Sequence, residues 1–160
     1  MKIKGAKNSK QTKTVNFMGG SVTIKPISLL FAIETEEQLP EPTPPILNYA
    51  RDKGGKIIRE NGVAVPVYDY SSPEYKRALS MQRNLVSVKM VVDSVADGLE
   101  FDTPADLLKE NPRKYYEEIF KELNEYGCSV GDLTQLANEI SRLSNIDDKL
   151  EGMEENFTRS

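Results

Sequence analysis

The chain has 160 residues, of which 38% are hydrophobic and 29% are charged, and its formal net charge is -4 with an isoelectric point of about 5.1. These proportions are typical of one folded, soluble domain and argue against a fibrous or wholly disordered chain. The acidic balance argues against a dedicated nucleic-acid binder, which needs clustered positive charge to contact phosphates.

The residue types leave little room for catalysis. The chain has no histidine and a single cysteine, Cys128, so the commonest general base and the usual partner of a Ser or Cys nucleophile are missing. No phosphate-binding glycine motif and no calcium loop occurs in the sequence. We therefore predict a protein that is not an enzyme, with no catalytic residues, no cofactor and no metal.

The distribution of charge and apolar residues predicts the ends of the domain. Residues 1–13 are rich in lysine and residues 146–160 in carboxylates, and we predict both to be flexible. A single domain is predicted over 14–145. No apolar run is long enough to span a membrane and the basic start lacks the apolar core of a signal peptide, which predicts a cytosolic protein with no membrane association.

The first predicted element is a β-hairpin over 14–25. Apolar and polar residues alternate on both sides of Gly19-Gly20, which is the pattern of two strands joined by a two-residue turn. The apolar members are Val15, Phe17, Val22 and Ile24. After the hairpin, Ser28 is a candidate cap for a short helix that ends near Glu37.

A proline-rich strap is predicted over 38–45, where four prolines hold the backbone extended. A second hairpin is predicted over 56–68 as an insertion in the domain, because Asn61-Gly62 between apolar runs favours a type I′ turn. Pro66 cannot donate a ladder hydrogen bond, so its strand should lie at an edge or end there.

A long helix is predicted to begin at Ser72-Pro73, since serine is a favoured N-cap and proline a favoured first-turn residue. Its apolar stripe widens after Leu85 and covers nearly all faces of the helix. This predicts that the second half of the helix lies in the centre of the fold. Gly98 is the predicted stop.

Three further helices follow in the prediction. The first is a short one through Leu107-Leu108, the second is capped by Asn111 and closed by Gly127, and the third is capped by Ser129 and runs through Leu143. The resulting fold class is α+β and mainly α-helical, with small N-terminal β-hairpins packed on a bundle of three to four helices.

Tyrosines are the residues best suited to recognition in this chain, because each joins a large apolar ring to a polar tip. Tyr68, Tyr70 and Tyr75 surround the start of the long helix. Two interpretations stay open: an aromatic patch that docks a partner segment, or a staple that fixes the loop against the helix.

The order of these elements resembles the tail assembly chaperones of long-tailed bacteriophages and prophages. The resemblance extends over most of 14–143, and its strongest pieces are IKPISL at 24–29 and PVYDYSSPEYKRAL at 66–79. The β-rich segment 49–68 departs from the mainly helical body of that family and is interpreted as an insertion.

The resemblance implies a non-enzymatic morphogenesis factor. Such a protein binds the tape measure protein and helps recruit tail tube protein subunits in the host cytoplasm, associates with itself, and is absent from the mature virion. The predicted partner-binding residues are Tyr68, Tyr70, Tyr75, Leu79, Val86 and Met90. The alternative is a structural virion component, such as a head–tail joining or tail completion protein, which would persist in particles.

Overall fold

The computed structural model describes residues 11–144. Among them are five helices and seven strands. In chain order the elements are β1 (Lys13–Phe17), β2 (Gly20–Ile24), α1 (Phe31–Gln38), β3 (Ile46–Tyr49), β4 (Arg59–Glu60), β5 (Val63–Ala64), β6 (Pro66–Tyr68), α2 (Pro73–Ser94), β7 (Val95–Asp97), α3 (Leu107–Glu110), α4 (Pro112–Glu125) and α5 (Val130–Leu143). The structure confirms the α+β, mainly helical fold class.

The chain forms two compact units. The first contains the residues up to Leu39 and those from Leu85 onward, and the second is 40–84. The predicted hairpin insertion and residues 40–45 of the predicted strap thus belong to the second unit, whereas Gln38 ends α1 and Leu39 lies in the core of the first unit. The single-domain boundary 14–145 stays a prediction, and the predicted flexible tail 146–160 lies outside the described residues.

The core of the first unit is built from the hairpin and the long helices. β1 and β2 pair antiparallel and present Phe17, Val22 and Ile24 to it. The helices add side chains at three- and four-residue spacing, because that spacing lines one face of a helix. These are Leu85, Val88 and Val91 from α2, Tyr115, Tyr116, Ile119 and Leu123 from α4, and Leu133, Leu136 and Ile140 from α5.

Local capping chemistry sets the helix ends much as predicted. The Ser72 hydroxyl accepts from the Tyr75 N–H at 3.4 Å, and Asn111 Oδ1 accepts from the Lys114 N–H at 3.1 Å. Ser129 forms a reciprocal capping box with Asp132. Gly127 closes α4 at φ 84° with the paired backbone bonds of a Schellman motif.

The first hairpin turns one residue earlier than predicted. Its loop is Met18-Gly19, both with positive φ, rather than Gly19-Gly20. The observed register places Phe17 opposite Gly20. Of the flexible start predicted over 1–13, residues 1–10 lie outside the described residues. Lys13 is the first residue of β1, and its Nζ lies 2.6 Å from Glu139 Oε2.

Two helix boundaries differ from the prediction. Ser28 is not an N-cap: its hydroxyl accepts from the Leu30 N–H in a turn, and α1 begins three residues later at Phe31. Helix α2 ends at Ser94 rather than near Gly98, because the next residues pair with β2 as a third strand. Gly98 has φ 89°, and a Cβ there would lie 2.5 Å from the Ser21 carbonyl oxygen, so the glycine permits this close approach.

The second unit is rich in β-strands and includes the first half of α2. β3 pairs with β6, and β4 pairs with β5 across the predicted Asn61-Gly62 turn, whose residues have φ 48° and 83°. Positive φ at both positions is the geometry of the predicted type I′ turn. Pro66 is the first residue of β6 rather than the end of a strand, and β6 lies at an edge as predicted because its sheet has two strands.

Candidate partner-binding surface

The loop between β6 and α2 is fixed by a compact set of hydrogen bonds. The Asp69 N–H donates to the Pro45 carbonyl at 2.8 Å, and Asp69 Oδ1 accepts from the Ser71 N–H at 2.9 Å and from its hydroxyl at 2.6 Å. The Ser71 bonds hold the pKa of the Asp69 carboxyl below its ordinary value. With Ser72 capping α2, this loop gives the side chains on either side of it defined positions.

Three tyrosines meet at this loop. The rings of Tyr68 and Tyr70 have centroids 6.3 Å apart, and those of Tyr70 and Tyr75 are 6.0 Å apart, both in edge-to-face geometry. Tyr70 remains 64% exposed and Tyr68 is also exposed, whereas Tyr75 is half-buried. The contacts match the staple interpretation, and the exposed ring faces match the docking interpretation, so the cluster can do both.

Many apolar side chains of the second unit are exposed to solvent. In 40–84 the two buried residues are Ser72 and Gln82, and no side chain of this unit belongs to the hydrophobic core. Exposed large apolar residues there are Ile46, Leu47, Tyr49, Ile57, Ile58, Val63, Val67, Tyr68, Tyr70 and Met81. We call this set the arm surface. A two-stranded sheet is marginal unless its apolar face is covered, so such a surface favours a partner.

The other predicted partner-binding residues are less accessible. Leu79 is half-buried on α2 in the second unit. Val86 and Met90 are partly buried and pack against the core of the first unit, where the Ser141 hydroxyl also lies 3.8 Å from the Met90 sulfur. The structure therefore brings Tyr68, Tyr70 and Tyr75 together and gives Val86 and Met90 a role in packing.

Sequence reasoning missed a buried ion pair in the first unit. Lys89 is 1% exposed, and its Nζ lies 2.6 Å from Asp93 Oδ2 and 3.8 Å from Glu34 Oε2. The same ammonium lies 5.3 Å from the Phe31 ring centroid and 5.7 Å from that of Tyr116. The signal was a lone lysine in the run LVSVKMVV at 85–92, whose other members are apolar except Ser87.

Two further groups have shifted pKa values for structural reasons. Burial, reinforced by Asp93, raises the pKa of Tyr116 far above its ordinary value, and its hydroxyl donates to Gln38 Oε1 at 3.0 Å. Burial also raises the pKa of the Cys128 thiol, with Asp132 adding to the effect. A raised thiol pKa disfavours the nucleophilic thiolate.

Residues 11–144 contain neither a metal-binding cluster nor a membrane-spanning helix. Within residues 11–144 no three metal-ligating side chains come together, and no helix of that region is long and apolar enough to cross a membrane. The arm surface is thus the strongest candidate for a functional site. Comparison of the chain with protein-family models, curated proteins and solved structures finds no match.

Proposed function

We propose that this protein is a non-enzymatic tail assembly chaperone, which binds the tape measure protein and helps recruit tail tube subunits during tail morphogenesis. The observation that carries the proposal is the arm surface: a unit of 45 residues, 40–84, that buries no apolar side chain and exposes a row of them. The resemblance at 24–29 and 66–79 supplies the class of partner.

The chemistry of the arm surface suits an apolar polypeptide. Tyr68 and Tyr70 are exposed, and each joins an apolar ring to a polar hydroxyl group, which suits a surface that contacts apolar groups yet remains soluble when no partner is bound. Burying one aromatic or branched aliphatic side chain contributes about 1.5–3 kcal/mol. A few such contacts repeated along a long partner would hold it without a deep pocket.

The proposal places the protein in the host cytoplasm during assembly and leaves it out of the mature virion. A structural virion component could use the same arm surface, but it would remain in purified particles. The two functions therefore differ in an outcome that mass spectrometry of particles can measure.

Co-expression with the tape measure protein tests the proposal. We expect wild-type protein to keep the tape measure protein soluble and to be captured with it, and the double variant Tyr68→Ala/Tyr70→Ala to lose most of this capture while staying folded. Tyr126→Ala is the matched control, because it removes an exposed tyrosine from the first unit. If the tyrosine variant captures as much tape measure protein as wild type and the control, the tyrosines are not in the interface. No capture by wild type would refute the proposal.

A further inference from the structure

A second apolar surface lies in the first unit, separate from the tyrosine cluster. A pocket of about 420 Å³ opens between the β1–β2 turn, the loop that follows β7 and the C-terminal end of α4. Apolar side chains make up most of its wall. They are Phe17, Val22, Leu99, Phe101 and Leu123.

The wall of this pocket is held in place by contacts within the first unit. Gly98 brings the loop against β2, where a Cβ would collide with the Ser21 carbonyl oxygen. Glu122 Oε2 accepts from the Asp102 N–H at 2.9 Å, and Glu122 Oε1 accepts from the Thr103 hydroxyl, so the loop is tied to α4. A preformed pocket binds without first having to order its own wall.

The charge at the pocket is negative. Glu100 and Glu122 line it, and no lysine or arginine of residues 11–144 does. Both oxygens of Glu122 accept from uncharged donors, and neither carboxylate forms an ion pair with a described lysine or arginine. The pocket therefore favours an apolar side chain that is flanked by positive charge.

The N-terminal segment 1–10 has this composition. It contains four lysines and no carboxylate, and Ile3 lies between Lys2 and Lys4. The C-terminal segment 145–160 also contains large apolar residues, but it has five carboxylates against two basic residues. Since like charges repel, the carboxylates of the pocket select the N-terminal segment over the C-terminal one.

Strand β1 joins the N-terminal segment to the pocket. Lys13 begins the strand, and Phe17, in the pocket wall, ends it. A strand rises about 3.3 Å per residue, so these two residues lie roughly 13 Å apart, and the path back from Gln11 to the pocket is about 20 Å. Residues 3–10 span up to roughly 26 Å when extended, so Ile3 can reach the pocket.

We propose that Ile3 of the N-terminal segment occupies this pocket within its own chain. The isoleucine covers the apolar wall, and Lys2 and Lys4 lie against Glu100 and Glu122. Because the segment is tethered to β1, even a weak contact is populated at the high effective concentration that a short tether gives. The inference uses neither the arm surface nor the tail-assembly role, so either can fail while the other stands.

Paramagnetic NMR of the full chain tests the inference. A nitroxide attached to Gly5→Cys, in a Cys128→Ser background, broadens the amide signals of residues that lie near it. We expect the signals of Leu99 and Phe101 to be broadened more than that of Lys13, although Lys13 is much closer to the label along the chain. The opposite order would overturn the inference, because it is the pattern of a segment that stays near its point of attachment.

Substitutions in the segment and in the pocket identify the contact. Ile3→Ser should weaken docking on the order of tenfold, because it removes the buried apolar side chain. Ala6→Ser introduces the same residue outside the Lys-Ile-Lys triplet and is the matched control. Glu100→Lys should weaken docking roughly fivefold, as expected for an exposed charge contact, and Lys2→Glu with Glu100→Lys should restore part of the loss. Broadening at the pocket that neither Ile3→Ser nor Glu100→Lys reduces would overturn the inference.

A mixed sample distinguishes docking within one chain from contact between copies. Chain that carries the nitroxide but no isotope label is added to isotope-labelled chain without nitroxide. The signals of Leu99 and Phe101 should keep their intensity in this mixture, and broadening as strong as in the singly prepared sample would assign the occupant to a second copy.

A last measurement keeps the native Cys128. Ile3→Ser should shift the amide signals of Leu99 and Phe101 relative to wild type. If Leu150→Ser shifts these signals and Ile3→Ser does not, the C-terminal segment occupies the pocket and the inference is overturned.

Discussion

Removing the Asp93 carboxylate should destabilise the first unit more than removing its partner Lys89. In Asp93→Ala the Lys89 ammonium stays in a site where it is 1% exposed, with Glu34 as a distant counter-charge at 3.8 Å. Breaking a buried pair in this way costs about 3–5 kcal/mol. Since Asp93 is itself 27% exposed and Glu34 remains, we expect a loss of roughly 2–4 kcal/mol in the free energy of unfolding.

Removing the Lys89 ammonium should lower the free energy of unfolding less than removing the Asp93 carboxylate. Lys89→Met replaces the ammonium with an apolar side chain of similar length, and the Asp93 carboxylate that remains can reach water. Replacing a buried charge in this way is often neutral, so the free energy of unfolding should stay within about 1 kcal/mol of wild type. The double variant should resemble Lys89→Met, which gives a coupling energy equal in size to the cost of Asp93→Ala, roughly 2–4 kcal/mol.

Urea unfolding followed by the helical circular dichroism signal measures these differences at neutral pH. Wild type, the two single variants and the double variant complete the cycle. A loss below about 1 kcal/mol for Asp93→Ala, or a coupling energy near zero, would refute the view that the pair with Asp93 is what makes the buried lysine tolerable.

Three other outcomes follow from local geometry. Gly98→Ala should cost about 2–4 kcal/mol because of its positive φ and the collision with Ser21, whereas Gly62→Ala, with similar φ but open space, should cost only about 1 kcal/mol in the same unfolding assay. Ser129→Ala should lower the free energy of unfolding by about 1 kcal/mol through loss of the capping box. Hydrogen bonds from Ser129 hold the pKa of Asp132 below its ordinary value of 3.8, so its stabilising effect is present above pH 3.8 and is lost as pH falls through the folded-state pKa. An acid titration of stability should therefore be flatter in Ser129→Ala than in wild type, and equal slopes would contradict this.

The sequence predicts best where structure is decided by neighbours along the chain. The caps at Ser72, Asn111 and Ser129 are local hydrogen bonds, and all three lie where they were predicted. The strand Val95–Asp97 was missed because it depends on pairing with β2, which is distant in sequence, and helical periodicity continues through it. Local patterns carry no information on such long-range pairing.

The candidate site was predictable only in part for a related reason. Tyr68, Tyr70 and Tyr75 are close in sequence and the structure brings them together. Val86 and Met90 lie in an apolar pattern that suits an interface as well as a core. The structure shows that they pack against the core. The pocket walled by Phe17, Leu99 and Leu123 combines three distant segments, so no local motif could indicate it.

Hydrogen exchange of the protein, alone and in a purified complex with the tape measure protein, tests the central claim most directly. The arm surface should be the docking site, so amides of 46–70 should exchange more slowly in the complex while those of α5 stay unchanged. Unchanged exchange over 46–70, with protection confined to the first unit, would contradict the claim that this surface holds the partner.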